Sequence, residues 1–459
     1  MLSSIDREQG PFHVMMDGLS GGAELLECQG VARIVPGKRV VCPAAWQGKK
    51  VFAKFYLGGS GAAGYWKREL RGLRALRDRH IPSPKILHQG TVDAGSAYLA
   101  LLEAIPSCRN FSEVWNESLQ DHDRGKYLHR LVELIALQHE HGLEHRDPHL
   151  DNFLVGGDQL YTLDGDAIVV TSGPLADKRS LNNLGLVLAQ LEPRYDSLAK
   201  QALIQYCQRR AWSFSVDLEH KLTTYIKYNR KKRCHRYLRK VFRECTEFVC
   251  QKDYNQFVIY RRDNESEVIS RLLADPSASL KKQDARMLKD GNTCTVWSTP
   301  IDDRRLVIKR YNLKGKAHAF NRALRKTRAA ISWENAHRLL FYGIATAMPI
   351  ALVEERRGPF RGRAYYIAEF VEGPHCVQQL RDNEKLSDET RLAAEKIAAL
   401  LADLAMVGIT HCDMKGSNIL FRNGQPVLVD LDAMAQYKSR RLFVRKHRRD
   451  LRRFLENWQ

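Results

Sequence analysis

No C-x-x-C pair occurs among the ten scattered cysteines, so neither a zinc site nor a disulfide framework is expected, and a reduced, cytosolic protein is the default. Long apolar runs are also missing. The longest helical one, residues 397–409, is interrupted by Asp403 and is too short to span a bilayer. Residues 1–30 contain acids and no sustained apolar region, so no signal peptide is expected. Acids are scarce relative to bases: 53 Asp and Glu face 73 Lys and Arg, a net charge of +20. Such an excess attracts polyanions, and no nucleic-acid-binding motif accompanies it. An acidic membrane surface or a phosphorylated glycolipid is therefore the expected partner rather than nucleic acid.

What the chain has is an ordinary 44% hydrophobic fraction, enough to bury real cores. At ~150 residues per domain the length allows about three domains or two larger ones. One pattern then occurs twice. His145-Arg146-Asp147-Pro148-His149-Leu150-Asp151-Asn152 and His411-Cys412-Asp413-Met414-Lys415-Gly416-Ser417-Asn418 both read H-x-D-x-x-x-x-N. Each is followed by an apolar pair and then by a strand-like run ending in an aspartate, Asp164 or Asp430. His145 and His411, Asp147 and Asp413, Asn152 and Asn418, and Asp164 and Asp430 are each 266 residues apart. One ungapped offset shared by four polar pairs indicates an internal duplication rather than two unrelated turns.

The spacing has a chemical reason. Phosphoryl transfer from ATP needs a carboxylate to orient the acceptor hydroxyl and take its proton. It also needs an amide and a carboxylate to hold Mg2+ against the triphosphate, and hard oxygen donors suit that ion. Asp147 and Asp413 are the candidate bases. Asn152 with Asp164, and Asn418 with Asp430, are the candidate metal ligands. His145 reads as a hydrogen-bonding loop residue rather than as an acid-base group. Asp166 and Asp432, two residues past the metal aspartates, repeat a D-x-D feature; Asp166 is a second ligand or a buried orienting acid, ranked below Asp164.

Upstream of each loop the signals are those of a small sheet followed by a helix. Residues 1–24 are Gly-rich and polar and read as a loose segment. Strand signals follow, ending in Val51-Phe52-Ala53-Lys54. Lys54 would contact the ATP phosphates. The glycine run 58–64 is not a Walker A sequence and reads as a flexible connection; the turn Pro36-Gly37-Lys38-Arg39 is the better phosphate cover. Residues 65–79 carry an apolar stripe of Trp66, Leu70, Leu73 and Leu76, a helix on which Glu69 would pair with Lys54. In the second half Leu306-Val307-Ile308-Lys309 matches the lysine strand. A basic helix over 320–340 carries one acid, Glu334, the candidate partner for Lys309, although simple alignment sets Ser332 opposite Glu69. Lys415, two residues after Asp413, is placed to meet the transferred phosphate. Basic stretches with interleaved apolar residues occur at 227–243 and after residue 440, and read as surfaces for an anionic membrane.

These residues resemble the lipopolysaccharide core kinases, the Kdo and heptose kinase family of WaaP type. The resemblance rests on the loop H-x-D-x-K-x-x-N-I-L, the ending V-D-L-D in place of D-F-G, and a short C-lobe, and it extends over both halves. It implies an α+β fold of two tandem protein-kinase-like domains, each with a small β-rich N-lobe and a helical C-lobe, over 1–230 and 247–459 with a basic linker at 231–246. It further implies ATP- and Mg2+-dependent phosphorylation of an inner-core sugar hydroxyl, with lipopolysaccharide core or a lipid A-core glycolipid as acceptor, at the cytoplasmic face of the inner membrane. Two other readings stay open: a protein Ser/Thr or Tyr kinase, against which no A-P-E segment follows either metal aspartate, and a partly inactive kinase-like scaffold.

Overall fold

The computed structural model describes residues 9–17, 22–92, 95–118, 121–312, 325–381 and 387–456. The chain is a mixture of helices and antiparallel strands that divides into two compact units, Met1–Leu191 with Tyr195–Lys231, and Glu192–Arg194 with Lys232–Gln459.

The first unit opens with strands β1 (Phe12–Asp17), β2 (Ala23–Cys28), β3 (Arg33–Val35), β4 (Arg39–Trp46) and β5 (Lys49–Tyr56). Helix α1 (Gly59–Asp78) and strands β6 (Ile86–Val92) and β7 (Ala97–Glu103) complete the sheet lobe. The strand order is β2-β1-β6-β7-β5-β4-β3, with β2 also pairing to β4. Strict alternation puts Phe12, Val14 and Met16 of β1 and Val40, Cys42, Ala44 and Trp46 of β4 into one core. The expected loose N-terminus is therefore a hairpin in part: Phe12 pairs with Cys28 and Asp17 with Ala23. Its glycine-rich connection, residues 18–21, lies outside the described residues.

The glycine run after β5 is the first turns of α1 rather than a connection. Gly58 precedes them in the left-handed region at φ 88°, and a Cβ there would lie 2.6 Å from the Gly37 carbonyl oxygen. Only glycine lets the 36–37 turn pack so closely against the start of the helix.

The helical lobe follows: β8 (Cys108–Asn110), α2 (Phe111–Glu117), α3 (Asp121–Glu140), β9 (Leu143–His145), β10 (Phe153–Gly156), β11 (Gln159–Thr162), β12 (Ile168–Val170), α4 (Asp177–Leu188) and α5 (Ala199–Arg209). Leu131, Ile135, Phe153, Leu184 and Leu203 fill its core. Helix α6 (Val216–Lys240) contains the first basic stretch. Leu222 and Ile226 belong to the core of the first unit and Cys234 to a core of the second, with Leu238 packed against that one. Most of the apolar residues between the cations are thus used for packing, while Lys227, Lys231, Lys232 and Arg236 are exposed.

The second unit repeats the plan. Its strands are β13 (Phe248–Lys252), β14 (Gln256–Arg261), then, after α7 (Glu267–Ala274), β15 (Arg286–Asp290), β16 (Cys294–Ile301) and β17 (Arg304–Tyr311). Helix α8 (Arg328–Phe341) and strands β18 (Pro349–Arg357) and β19 (Phe360–Glu369) close the sheet lobe, ordered β13-β14-β18-β19-β17-β16-β15. Thr327 caps α8 by accepting from the Ala330 backbone N–H at 3.0 Å, which fixes where the helix begins. The helix expected from residue 320 thus begins at Arg328, and residues 320–324 lie outside the described residues. The helical lobe is short: α9 (Cys376–Arg381), α10 (Asp388–Met406), β20 (Ile409–Thr410), β21 (Ile419–Arg422), β22 (Gln425–Leu428), β23 (Ala435–Gln436) and the terminal helix α11 (Arg440–Leu455). Among the described residues, no helix is long and apolar enough to cross a membrane.

Candidate functional site

Each motif loop lies between a short strand and a hairpin. In the first unit, β9 delivers His145 and the β10–β11 hairpin follows the loop. The Asn152 side-chain amide donates to the Asp147 carbonyl at 3.0 Å. The Asn152 carbonyl accepts from the Leu163 N–H at 2.9 Å, which draws the end of the hairpin, and with it Asp164, to the loop. The second unit repeats these contacts. Asn418 donates to the Asp413 carbonyl at 2.9 Å and accepts from Val429 N–H at 3.0 Å, next to Asp430. Asp147, Asn152 and Asp164 are thus brought together, as are Asp413, Asn418 and Asp430. Each asparagine commits its amide nitrogen to the loop, which leaves its side-chain oxygen for a ligand, and its backbone carbonyl binds the residue just before the aspartate. An amide oxygen and a carboxylate are oxygen donors that fit a hard cation such as Mg2+.

The lysines are held differently. Lys54 on β5 donates to Glu69 of α1 at 2.5 Å, and its Nζ lies 3.5 Å from the Leu163 carbonyl. Glu69 is fully buried, and burial pushes its carboxyl up to about 6 against the pull of Lys54. At Asp164 the effect of burial is outweighed by Lys54, Glu69 and Arg39, which hold its carboxyl at about 2. Arg39, from the turn read as a phosphate cover, therefore acts electrostatically on this site. Asp166 is not part of the lysine pair; its carboxylate takes Arg68 at 2.6 Å, while its backbone N–H donates to Glu69 at 3.1 Å.

In the second unit Lys309 on β17 is paired with Asp430 and, at 2.8 Å, with Asp432. Burial opposes the charge of Lys309, but Tyr311, Asp430 and Asp432 outweigh it and hold the ammonium above the ordinary lysine range. Asp432 in turn takes Arg328 at 2.9 Å. Burial would raise the Asp432 carboxyl, but Lys309 and Arg328 hold it below the usual range. Glu334, expected beside Lys309, is instead paired with Lys326 and with Arg338, the latter at 2.5 Å. Ser332, which alignment sets opposite Glu69, meets the Tyr311 hydroxyl at 3.0 Å. The sequence showed the second D-x-D but not its use; the signal was the missing helix acid together with a spare aspartate.

The loops also differ in their supports. In the first unit His139 is buried and bridges Tyr206 at 2.8 Å and Asn183 at 2.9 Å. Asn183 of α4 then donates to the His145 carbonyl at 2.8 Å. These two residues organise the loop, and nothing in the motif marked them. His145 itself is not a hydrogen-bonding residue: neither ring nitrogen has a partner among the described residues, and the ring packs against Phe153. Burial lowers it to about 4, so it is neutral at ordinary pH. In the second unit His411 Nε2 does reach the Val429 carbonyl, at 2.9 Å. There the loop is held by Asp450 of α11, which accepts from the Cys412 N–H at 3.0 Å. Cys412 and Asp430 both adopt left-handed backbone, at φ 63° and 61°, a strained state for residues with a side chain and one that concentrates at functional sites.

The acceptor side of the candidate bases differs too. Asp147 is exposed and makes no ion pair among the described residues. His149 beside it pairs with Asp151 at 3.1 Å. Asp413 is ringed by cations, Arg453 at 2.7 Å and Lys415 at 3.5 Å.

A search of curated proteins finds no match to the chain. The model of the lipopolysaccharide kinase (Kdo/WaaP) family matches residues 55–167 and 278–458, one stretch in each half and well over half of the chain in all. Both matched stretches contain a motif loop, its asparagine and its hairpin aspartate, and on that match the chain belongs to the lipopolysaccharide kinase (Kdo/WaaP) family.

Proposed function

We propose that the chain is two tandem protein-kinase-like domains, divided within the basic stretch 231–246, and that at least one transfers phosphate from ATP to a sugar hydroxyl of the lipopolysaccharide inner core. The observation that carries this reading is the hydrogen-bonded loop present in both units, in which one asparagine ties the base-bearing turn to the aspartate that ends the hairpin. Asp147 and Asp413 orient the acceptor hydroxyl and take its proton as the bond to phosphorus forms. Lys54 and Lys309 bind the ATP phosphates. Glu69 fixes the first ammonium. Asp432 fixes the second, replacing the helix acid that Glu334 does not supply. Lys415 contacts the transferred phosphate. Magnesium, when bound, neutralises charge on that group, and Asn152 with Asp164, and Asn418 with Asp430, are the residues that would hold it. The exposed cations of α6 and α11 support residence at the anionic cytoplasmic face of the inner membrane.

The test is transfer of labelled phosphate from ATP to purified core oligosaccharide by wild type, Asp147→Ala, Asp413→Ala and the double variant. Glycan labelling that disappears in the double variant is the expected result. Labelling of protein but not glycan would favour a protein kinase. Intact nucleotide binding with no labelling at all would favour a scaffold.

A further inference from the structure

The helix α11 is unlike the other helices of the second unit. Its sixteen residues, RRLFVRKHRRDLRRFL, carry eight cations and a single acid, Asp450. That acid does not neutralise the helix, because it is buried and accepts from the Cys412 backbone of the motif loop. One turn further on, Arg453 reaches the Asp413 carboxylate at 2.7 Å. The Asp450–Arg453 pair therefore fastens a cationic helix beside the candidate base. Lys446, Arg449 and Arg453 follow one another at i, i+3 and i+7, so they share one side of the helix. Neither Lys446 nor Arg449 makes an ion pair among the described residues, and Arg449 is exposed. A row of cations that ends at the base, its first two members making no ion pair among the described residues, complements an extended anion. Among the described residues of the first unit, no cation row ends in an ion pair with Asp147. That unit's loop is supported by the neutral Asn183.

We propose that the Lys446–Arg449–Arg453 face of α11 is an anion-binding track that seats a phosphate of the glycan acceptor, so that the second unit selects a phosphorylated acceptor and the first does not. This rests on the glycan-kinase reading above. On this reading Arg453 has two alternative anionic partners, Asp413 and the acceptor phosphate. With no acceptor it pairs with Asp413; an acceptor anion draws it away and leaves Asp413 to receive the hydroxyl. Recognition of the correct acceptor and release of the base are then one event.

The experiment uses the full chain and two fluorescent probes, an inner-core oligosaccharide with its phosphates and the same oligosaccharide dephosphorylated. Binding is followed by anisotropy in the presence of a non-hydrolysable ATP analogue, and transfer from labelled ATP is measured in parallel. The expected result is that Arg453→Gln and Arg449→Gln each weaken the phosphorylated probe about tenfold or more, the loss of a charge-assisted hydrogen bond, and leave the dephosphorylated probe unchanged. Arg453→Lys should retain most of the binding, and thermal melting of each variant separates loss of charge from loss of fold. Equal binding of the phosphorylated probe by wild type and Arg453→Gln overturns the track, and so does an equal loss for both probes. An Arg453→Gln variant that transfers faster to both glycans also overturns it, because the helix is then an inhibitory latch. Arg453-dependent binding with no transfer would sink the kinase reading and keep the track; transfer with Arg453-independent binding would do the reverse.

Discussion

Lys54 and Lys309 stand at matching places on matching strands, yet they are clamped from opposite sides. In the first unit the clamp is Glu69 on the helix behind the sheet. In the second it is Asp432, on the turn that also carries Asp430. The neighbouring contacts follow the same division. Gly72, three residues after Glu69, lies so close to the Gly165 backbone that a Cβ would sit 1.9 Å from its carbonyl oxygen. Asn335, three residues after Ser332, instead donates to the Leu431 carbonyl at 2.9 Å. One unit brings helix and turn together by removing a side chain, and the other spans the gap with an amide. The requirement the two units share is a buried acid at the lysine, not an acid at one position in the chain.

The sharpest way to test the comparison is to remove the loop acids. Asp147→Asn and Asp413→Asn should each slow transfer by their own unit by about a hundredfold or more, the contribution of a positioned base, as read with the other unit's acid also replaced. The clamps come next. Breaking a buried ion pair by removing one partner costs about 3–5 kcal/mol. Glu69→Gln should therefore destabilise its unit by about 3 kcal/mol, Asp432→Asn its own by less because Asp430 still pairs with Lys309, and each should weaken nucleotide binding to its unit by about tenfold or more. The counterparts Asp166→Asn and Glu334→Gln should change it by less than about twofold, as expected for pairs partly open to solvent. Loss of binding in Glu334→Gln equal to that in Asp432→Asn would end the comparison.

The helix-to-turn contacts should then separate in stability. Gly72→Ala should destabilise the first unit by about 3 kcal/mol, since the clash is with backbone. Asn335→Ala should cost the second about 2 kcal/mol, the usual loss when buried carbonyls lose their donor. Chemical denaturation followed by hydrogen exchange assigns each loss to its unit. The last prediction concerns pH. Burial lowers His139 from 6.5 to about 4. The folded ring stays neutral while the unfolded one takes up a proton, so this stability is complete above about pH 6.5 and is lost as pH falls toward 4. The loss amounts to about 3 kcal/mol. His139→Gln should be less stable at neutral pH and show a flatter pH dependence in thermal melts of the first unit.

The loops were readable because their acids and amides are close in sequence: H-x-D-x-x-x-x-N fixes the turn, and the hairpin aspartate comes twelve residues after the asparagine. The lysine strands were readable from apolar alternation, and Glu69 from the stripe of its helix. Glu334 misled because counting along the chain ignores direction. It lies two residues past Ser332, about 200° around the helix axis, and so faces Lys326 and Arg338 rather than the sheet. Asp432, Asn183, Asp450 and Arg453 were hidden for another reason. Their roles depend on which distant segment folds back onto the loop, and no local pattern records that. The β1–β2 hairpin was masked by its glycine-rich connection, whose composition outweighed the alternating Phe12, Val14 and Met16.

The D-L-D turn of the second unit has a consequence for control. Its lysine partner and its proposed metal ligand are two residues apart on one 3-10 turn, Leu431–Ala433 with Asp430 before it. A movement there disables both together, and tilting α8 would not separate them. In the first unit the two acids sit on separate elements, Glu69 on α1 and Asp164 at the end of the hairpin, so a displacement of α1 would act on the Lys54 pair first and reach Asp164 only through the Gly72–Gly165 and Glu69–Asp166 contacts. Of the two units, one would then be open to control from its helix, while the other works or fails as a whole.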